Sequence, residues 1–282
     1  MIALADNRYG KSRVRLAQVK RHADRHDFRE WTVEILLEGG FETCFTEGDN
    51  SKILPTDTMK NTVYSLARNS SAECMEEFAK ELLAFFLKHN PQVSAGQIAI
   101  AEKAWEHLHT GGKPHPTTFV QSSSERQTTE VKAVRGRRPS VQSGLDNLII
   151  LKTAGSEFVG FLKDSLTTLP EASDRLFGTA ARARWNYSSA DLPFPSLRRK
   201  VRDTLLNTFA GHVSKSVQHT LYAMGQAVLE NVPEVEDIEL TLPNIHCLLV
   251  DLSRFGQDNP NEIFVPIDEP HGYIEARIRR QG

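Results

Sequence analysis

Leu54–Tyr64 reads LPTDTMKNTVY, and it joins an extended segment to a helix. Pro55 drives the residue before it out of the helical region, so the incoming chain is extended up to that point. Thr56, Asp57 and Thr58 then bring a hydroxyl, a carboxylate and free backbone N–H groups to a helix start. That combination caps helices, and it also suits a polar or anionic group held at a helix N-terminus. The segments on either side decide what the stretch belongs to: period-two strand patterns precede it, and a second, broadly apolar helix follows.

Upstream, Arg13–Arg21 (RVRLAQVKR) and Trp31–Leu37 (WTVEILL) read as two antiparallel strands joined through HADRHD, with Trp31, Val33, Ile35 and Leu37 on one face. Downstream, Ala72–His89 places Met75, Phe78, Ala79, Leu82, Leu83, Phe85 and Phe86 along one face of a helix that stops before Asn90-Pro91. GQIAIAEKAWEHLH alternates like a strand, Gly111–Thr118 with its glycines and prolines predicts a turn, and FVQSSSERQTTEVKAV predicts a hairpin with a polar tip. RGRRPS at 135–140 is the expected boundary between residues 1–137 and 138–282. The second half repeats the order: extended SVQSGLDNLIILKTAG and RARWNYSS, helical Leu197–Ala210 and Ser216–Asn231, then extended IELTLPNIHCLLVDL, EIFVPID and YIEARIRR. The expectation is an α+β chain of two tandem halves, each an antiparallel sheet with helices packed on one face. So many strands with so few covering helices leave sheet edges, and closure by oligomerisation would satisfy them.

At 282 residues the chain can bury a substantial core, and 25% charged against 39% apolar residues is a globular balance. A net charge of −2 gives no broad attraction to nucleic acid or a membrane surface, so an anionic ligand would have to meet local positive groups. Cys44, Cys74 and Cys247 are scattered and form no CxxC pair, which suggests neither a disulfide framework nor a zinc site. There is no apolar run of transmembrane length, secretory signal or sorting tripeptide. The expectation is a soluble protein of the bacterial cytoplasm, with neither membrane nor nucleic-acid partners.

Five pieces could carry chemistry. Tyr9-Gly10-Lys11-Ser12 sets a lysine at a strand mouth, where a plain solvated lysine is the ordinary reading. Thr56-Asp57-Thr58 is the helix start above. Glu157-Phe158-Val159-Gly160-Phe161 with Asp174-Arg175 offers an aromatic face and a planar guanidinium fork, although the same residues suit a core ring and a surface ion pair. Ser216-Val217-Gln218 puts an amide at a helix start, able to read a donor–acceptor edge. In Leu242-Pro243-Asn244-Ile245-His246, Asn244 and His246 project to one side of a strand. The His22/His26 and His107/His109 pairs lack acidic or thiolate partners at characteristic spacing, so no metal site is expected. No GxGxxG unit, phosphate loop or GxSxG elbow occurs, and nucleotide cofactors and serine hydrolysis have no support.

Taken in order, YGKSRVRL, TDTMKNTVY, EFVGF with Asp174-Arg175, SVQHTLY and LPNIH resemble the signature blocks of the urate oxidase (uricase) family, across nearly the whole chain. The resemblance implies the tunnelling fold, a homotetramer with active sites at subunit interfaces, and cofactor-free oxidation of urate in purine catabolism. It implies that Arg175 and Gln218 grip urate, that Phe158 stacks on its plane, and that the Val217 backbone adds a contact. Thr56 and Asp57, from a neighbouring subunit, would hold the opposite edge. Lys11, Thr56 and His246 would relay protons, with Asn244 above the ring where dioxygen or water binds. Val159 and Thr58 depart from the common eukaryotic pattern without touching the relay. The rival readings are another tunnelling-fold enzyme acting on a pterin or purine-like ring, or a purine-binding relative without catalysis.

Overall fold

The computed structural model describes residues 2–267 and 269–281, and its chain divides into two compact units. Unit 1 is the chain up to Gly144 together with Asn186–Arg198; unit 2 is Leu145–Trp185 together with the chain from Arg199 onward.

Unit 1 is built on strands β1 (Tyr9–Arg21), β2 (His26–Gly39), β3 (Val93–Thr110) and β4 (Lys113–Val134), antiparallel and in that order across the sheet. The strand β2 shows why a sheet forms here: Trp31, Val33, Ile35 and Leu37 are all buried, and the residues between them are not. Three helices lie in the same unit: α1 (Glu42–Thr46), α2 (Thr56–Asn69) and α3 (Met75–His89). In α2 the buried residues are Met59, Val63 and Ala67, one per turn, and the helix packs on β1. The apolar stripe of α3 is core, packed on β3 and β4, with Phe85 alone of the expected face only half-buried. One residue of that face is charged: Glu76 is fully buried, accepts from Ser143 Oγ, and faces Arg198 Nε at 3.5 Å.

The Gly111–Thr118 segment turns the chain as expected, and does so tightly: the chain reverses at Gly111-Gly112, both at positive φ, and Pro114 already pairs with His109. One expectation fails in β4: FVQSSSERQTTEVKAV is not a hairpin, because β4 runs through it as one strand. Lys103 pairs with Arg126 but Trp105 with Gln121, so the Ser-rich segment is taken up as a bulge. The bulge turns Glu125 inward, where it is 5% exposed. Polar hydroxyl residues mark turns and bulges alike, and the pairing with β3 selects the bulge.

Strands β5 (Ser140–Lys152) and β6 (Phe177–Tyr187) each run from one unit into the other. Within unit 2, β7 (Val235–Leu249) pairs antiparallel with β8 (Phe264–Ile267) and β9 (Tyr273–Arg279). Asp268, the last residue of the expected strand EIFVPID, lies outside the described residues. The helix α4 (Phe194–Gly211) contributes Val201, Leu205 and Phe209 to the core of unit 2, and α5 (Val217–Asn231) packs on β7 and β9. Gly225 makes the last contact possible, since a Cβ there would sit 2.7 Å from Ile278 Cδ1. Pro243 does not interrupt β7; it pairs with Tyr273, and the strand continues to Leu249.

Candidate functional site

Lys11, Thr56 and Asp57 belong to unit 1; Phe158, Arg175, Val217, Gln218, Asn244 and His246 belong to unit 2.

In unit 1, Lys11 sits near the start of β1, paired with Ile35. Its neighbourhood is narrowly specified. A Cβ on Gly10 would fall 1.7 Å from the Ile35 carbonyl oxygen, so only glycine lets β1 approach β2 there. Immediately beyond, the register slips by one residue between Lys11 and Val14, and Arg13 takes a φ of 58°. This is a β-bulge, a device that re-aims neighbouring side chains. Thr56 is the first residue of α2 rather than its cap. The cap position is Pro55, and no side chain caps the helix. The first-turn N–H groups of α2 are therefore not met by a capping side chain. The Asp57 carboxylate is engaged by Lys60 and by Asn61 Nδ2 at 3.2 Å. Lys60 first, then Asn61 and the charge of Lys11, hold that carboxyl below the ordinary carboxylate range. The Asp57 side chain is thus committed within the first turn of α2.

In unit 2, a loop between β5 and β6 carries Phe158 and Arg175 and is tied down by backbone bonds. Phe158 exchanges hydrogen bonds with Ala172 (2.8 and 3.1 Å), and Arg175 N–H donates to the Ser156 carbonyl at 2.8 Å. The Asp174 carboxylate does not pair with the Arg175 guanidinium; it accepts from the backbone N–H of Ser156 and of Arg175, both at 3.1 Å. The guanidinium instead lies over the Phe158 ring, 5.1 Å from its centroid. Arg175 Nε is buried without a hydrogen-bond partner, and burial lowers the group's pKa from the ordinary arginine value. A partly desolvated cation with an unmet donor is costly unless an anion completes it.

The same loop reaches α5. Glu157 N–H donates to the Ser214 carbonyl (2.8 Å), and Ser214 N–H returns a bond to the Gly155 carbonyl (2.9 Å). Ser214 Oγ donates to the Ser216 carbonyl at 3.0 Å, and Ser216 caps α5 by accepting from His219 N–H. The strand of loop next to Phe158 is thereby tied to the segment that leads into α5, where Val217 is buried and Gln218 exposed. On β7, Asn244 Nδ2 and His246 Nδ1 lie 3.2 Å apart, as their two-residue spacing predicts. No group of three or more His, Cys, Asp or Glu among the described residues is placed to hold a metal ion.

Sequence reasoning left two supporting rings without a role. Phe161 stacks nearly parallel on Phe158, centroids 4.8 Å apart at 11°, and its place three residues along in EFVGF was the available signal. Tyr9 hydrogen-bonds to the segment leading into α2, which nothing in its local sequence announces.

The fold and these clusters define a protein of two tandem tunnelling-fold domains, antiparallel sheets with helices packed on one face. The uricase family model matches residues 7–132 and 141–275. The uricase of Arthrobacter globiformis is 41% identical over 281 residues, covering 100% of this chain and 91% of that protein. The uricase of Oryctolagus cuniculus is 37% identical over 279 residues, covering 97% and 93%. The crystal structure of the Arthrobacter globiformis uricase superposes with a TM-score of 0.95 at 40% identity, covering 100% of this chain and 96% of that one. The chain belongs to the uricase family. No described helix is long and apolar enough to cross a membrane.

Proposed function

We propose that this chain is a urate oxidase that needs no cofactor and converts urate, dioxygen and water to 5-hydroxyisourate and hydrogen peroxide in purine catabolism. Family membership carries the enzyme class and the substrates. The single observation that supports the binding mode is Arg175: a partly buried guanidinium with an unpartnered Nε, lying over an aromatic ring. Urate is an anion with a flat, electron-rich fused ring, so a cationic fork beside an aromatic face matches both its charge and its shape.

In this reading Arg175 and Gln218 grip one side of the ring, Phe158 stacks on its plane, and the Val217 backbone adds a contact at the α5 start. Thr56 and the Asp57 N–H, contributed by a second copy of the chain, hold the other edge. Lys11, Thr56 and His246 move protons, and Asn244 attends the dioxygen or water above the ring. Full deprotonation makes urate itself the reductant. Two electrons pass from the ring to dioxygen, which takes up two protons and leaves as peroxide. Water adds to the oxidised ring at its C5 carbon and gives up a proton to the relay. Positioning, charge stabilisation and proton transfer are then the protein's whole contribution. The sheet edges are closed in a homotetramer, and the compartment is the bacterial cytoplasm.

The test is direct: purified, chelator-treated protein should abolish the ultraviolet absorbance of urate, and no turnover would sink the reading. Turnover of a pterin in place of urate would favour another tunnelling-fold activity, and tight purine binding without turnover a non-catalytic relative.

A further inference from the structure

Tyr9 touches none of the groups that would meet substrate, yet it joins the two segments that carry Lys11 and Thr56. Its phenol donates to the Leu54 carbonyl oxygen at 3.2 Å and accepts from the Leu54 N–H at 2.8 Å. One hydroxyl thus satisfies both backbone groups of a single residue. The ring is itself fixed, edge-on to the fully buried Phe41 with centroids 4.8 Å apart at 87°.

The consequence follows from chain order. Leu54 is followed by Pro55, which has no N–H to anchor, and then by Thr56, with no side-chain cap on α2. The Tyr9–Leu54 pair therefore fixes the chain two residues before the Thr56 hydroxyl, beyond the Gln92 side-chain bond to the Lys52 carbonyl. On the strand side, Tyr9 pairs with Leu37, and Lys11 follows two residues later, so both side chains leave β1 on the same face. That Lys11 lies on the α2 side is independently indicated by the influence of its charge on Asp57.

We propose that Tyr9 is a positioning residue for the proposed proton relay, setting the Lys11 ammonium and the Thr56 hydroxyl in register by clamping the backbone of Leu54 to the first residue of β1. This rests on the relay reading of Lys11 and Thr56. Burial pushes the Tyr9 phenol above its ordinary value, which keeps the hydroxyl protonated and able to donate and accept at once. The β-bulge beyond Lys11 and the close approach at Gly10 fix the strand end of the same register.

The experiment compares Tyr9→Phe with Tyr64→Phe in the full-length protein. The second variant removes another hydroxyl linking α2 to β1, from Tyr64 to the Arg15 carbonyl at 3.3 Å, but far along both elements from Lys11. Phenylalanine keeps the packing on Phe41, so folding is preserved and only the clamp is lost. Tyr9→Phe is expected to lower kcat about 10-fold, between no effect and the roughly 10²-fold expected for losing a proton-transfer group outright. KM for urate should change by less than about threefold, because a misplaced relay slows chemistry more than it weakens the grip on the ring. The solvent deuterium isotope effect on kcat should rise, and Tyr64→Phe should leave all three unchanged. In a Thr56→Ala background Tyr9→Phe should cost little further, since a residue that acts through Thr56 loses its effect once that hydroxyl is gone. An unchanged kcat in Tyr9→Phe, or full additivity with Thr56→Ala, overturns the proposal while leaving the relay standing. Wild-type kcat in both Lys11→Ala and Thr56→Ala removes the relay, and Tyr9's role with it.

Discussion

Replacing Arg175 by alanine should separate binding from folding. In the free protein the guanidinium is partly desolvated, its Nε lacks a partner, and its compensation is the Phe158 ring 5.1 Å away. Truncation forfeits that cation–π contact, about 0.5–1 kcal/mol, and relieves an unsatisfied donor worth about 1–3 kcal/mol. The relief equals or exceeds the loss, by about 0–2.5 kcal/mol, so unfolding free energy should be unchanged or rise. Bound urate loses a charge-assisted contact. Removing one partner of such a pair costs about 2–5 kcal/mol, part of which is already borne by the unliganded protein, leaving about 2–3 kcal/mol. At about 1.4 kcal/mol per tenfold, KM should rise about 30- to 150-fold. Steady-state kinetics and a denaturant titration read the two quantities. A KM within about threefold of wild type together with a marked loss of stability would make Arg175 a structural residue and not a substrate clamp.

Lys11→Ala and Thr56→Ala should each lower kcat by about 10² or more, read by stopped or continuous urate assays, as lost proton transfer does. A site shared between copies makes a further prediction: Thr56→Ala and Arg175→Ala chains, co-expressed and assayed at a urate concentration at which each alone turns over slowly, should recover part of the activity, and no recovery would mean each chain supplies a whole site. Gly10→Ala should destabilise by about 1–3 kcal/mol, because the new Cβ would meet backbone at 1.7 Å; Gly225→Ala, which meets the movable Ile278 Cδ1 at 2.7 Å, should cost less. Glu30 accepts from Lys103 first, then Arg15 and Trp105, and these bonds outweigh the desolvation that would raise its carboxyl and hold it down to about 2. A depressed folded-state pKa contributes stability above the unfolded value that fades as pH falls toward about 2. The melting-temperature gap between wild type and Glu30→Gln should therefore narrow between about pH 4.5 and 2, and a constant gap would show that Glu30 acts through packing instead.

Much of this molecule was legible because its elements announce themselves locally. The buried face of β2 is the period-two pattern of Trp31–Leu37, and the α3 core is its aromatic stripe. What escaped was decided by distant partners. The Ser-rich stretch of β4 could be a hairpin tip or a bulge, and only pairing with β3 distinguishes them. At the site, the helix start at Thr56 and the Asn244–His246 pair follow from spacing, whereas Asp174 looked like the ion partner of Arg175 and instead serves the loop backbone. Tyr9 and Leu54, 45 residues apart, meet through the Tyr9 phenol and the main chain of Leu54, which leaves no trace in the residue type at that position.

The chain alone, with no cofactor, should let urate reduce dioxygen. Chelator-dialysed protein given urate in oxygen-labelled water should consume urate and dioxygen and release peroxide in equimolar amounts, with the label in the hydroxylated product and none in the peroxide. Urate left intact, or turnover that returns only when a metal or flavin is added, would contradict it.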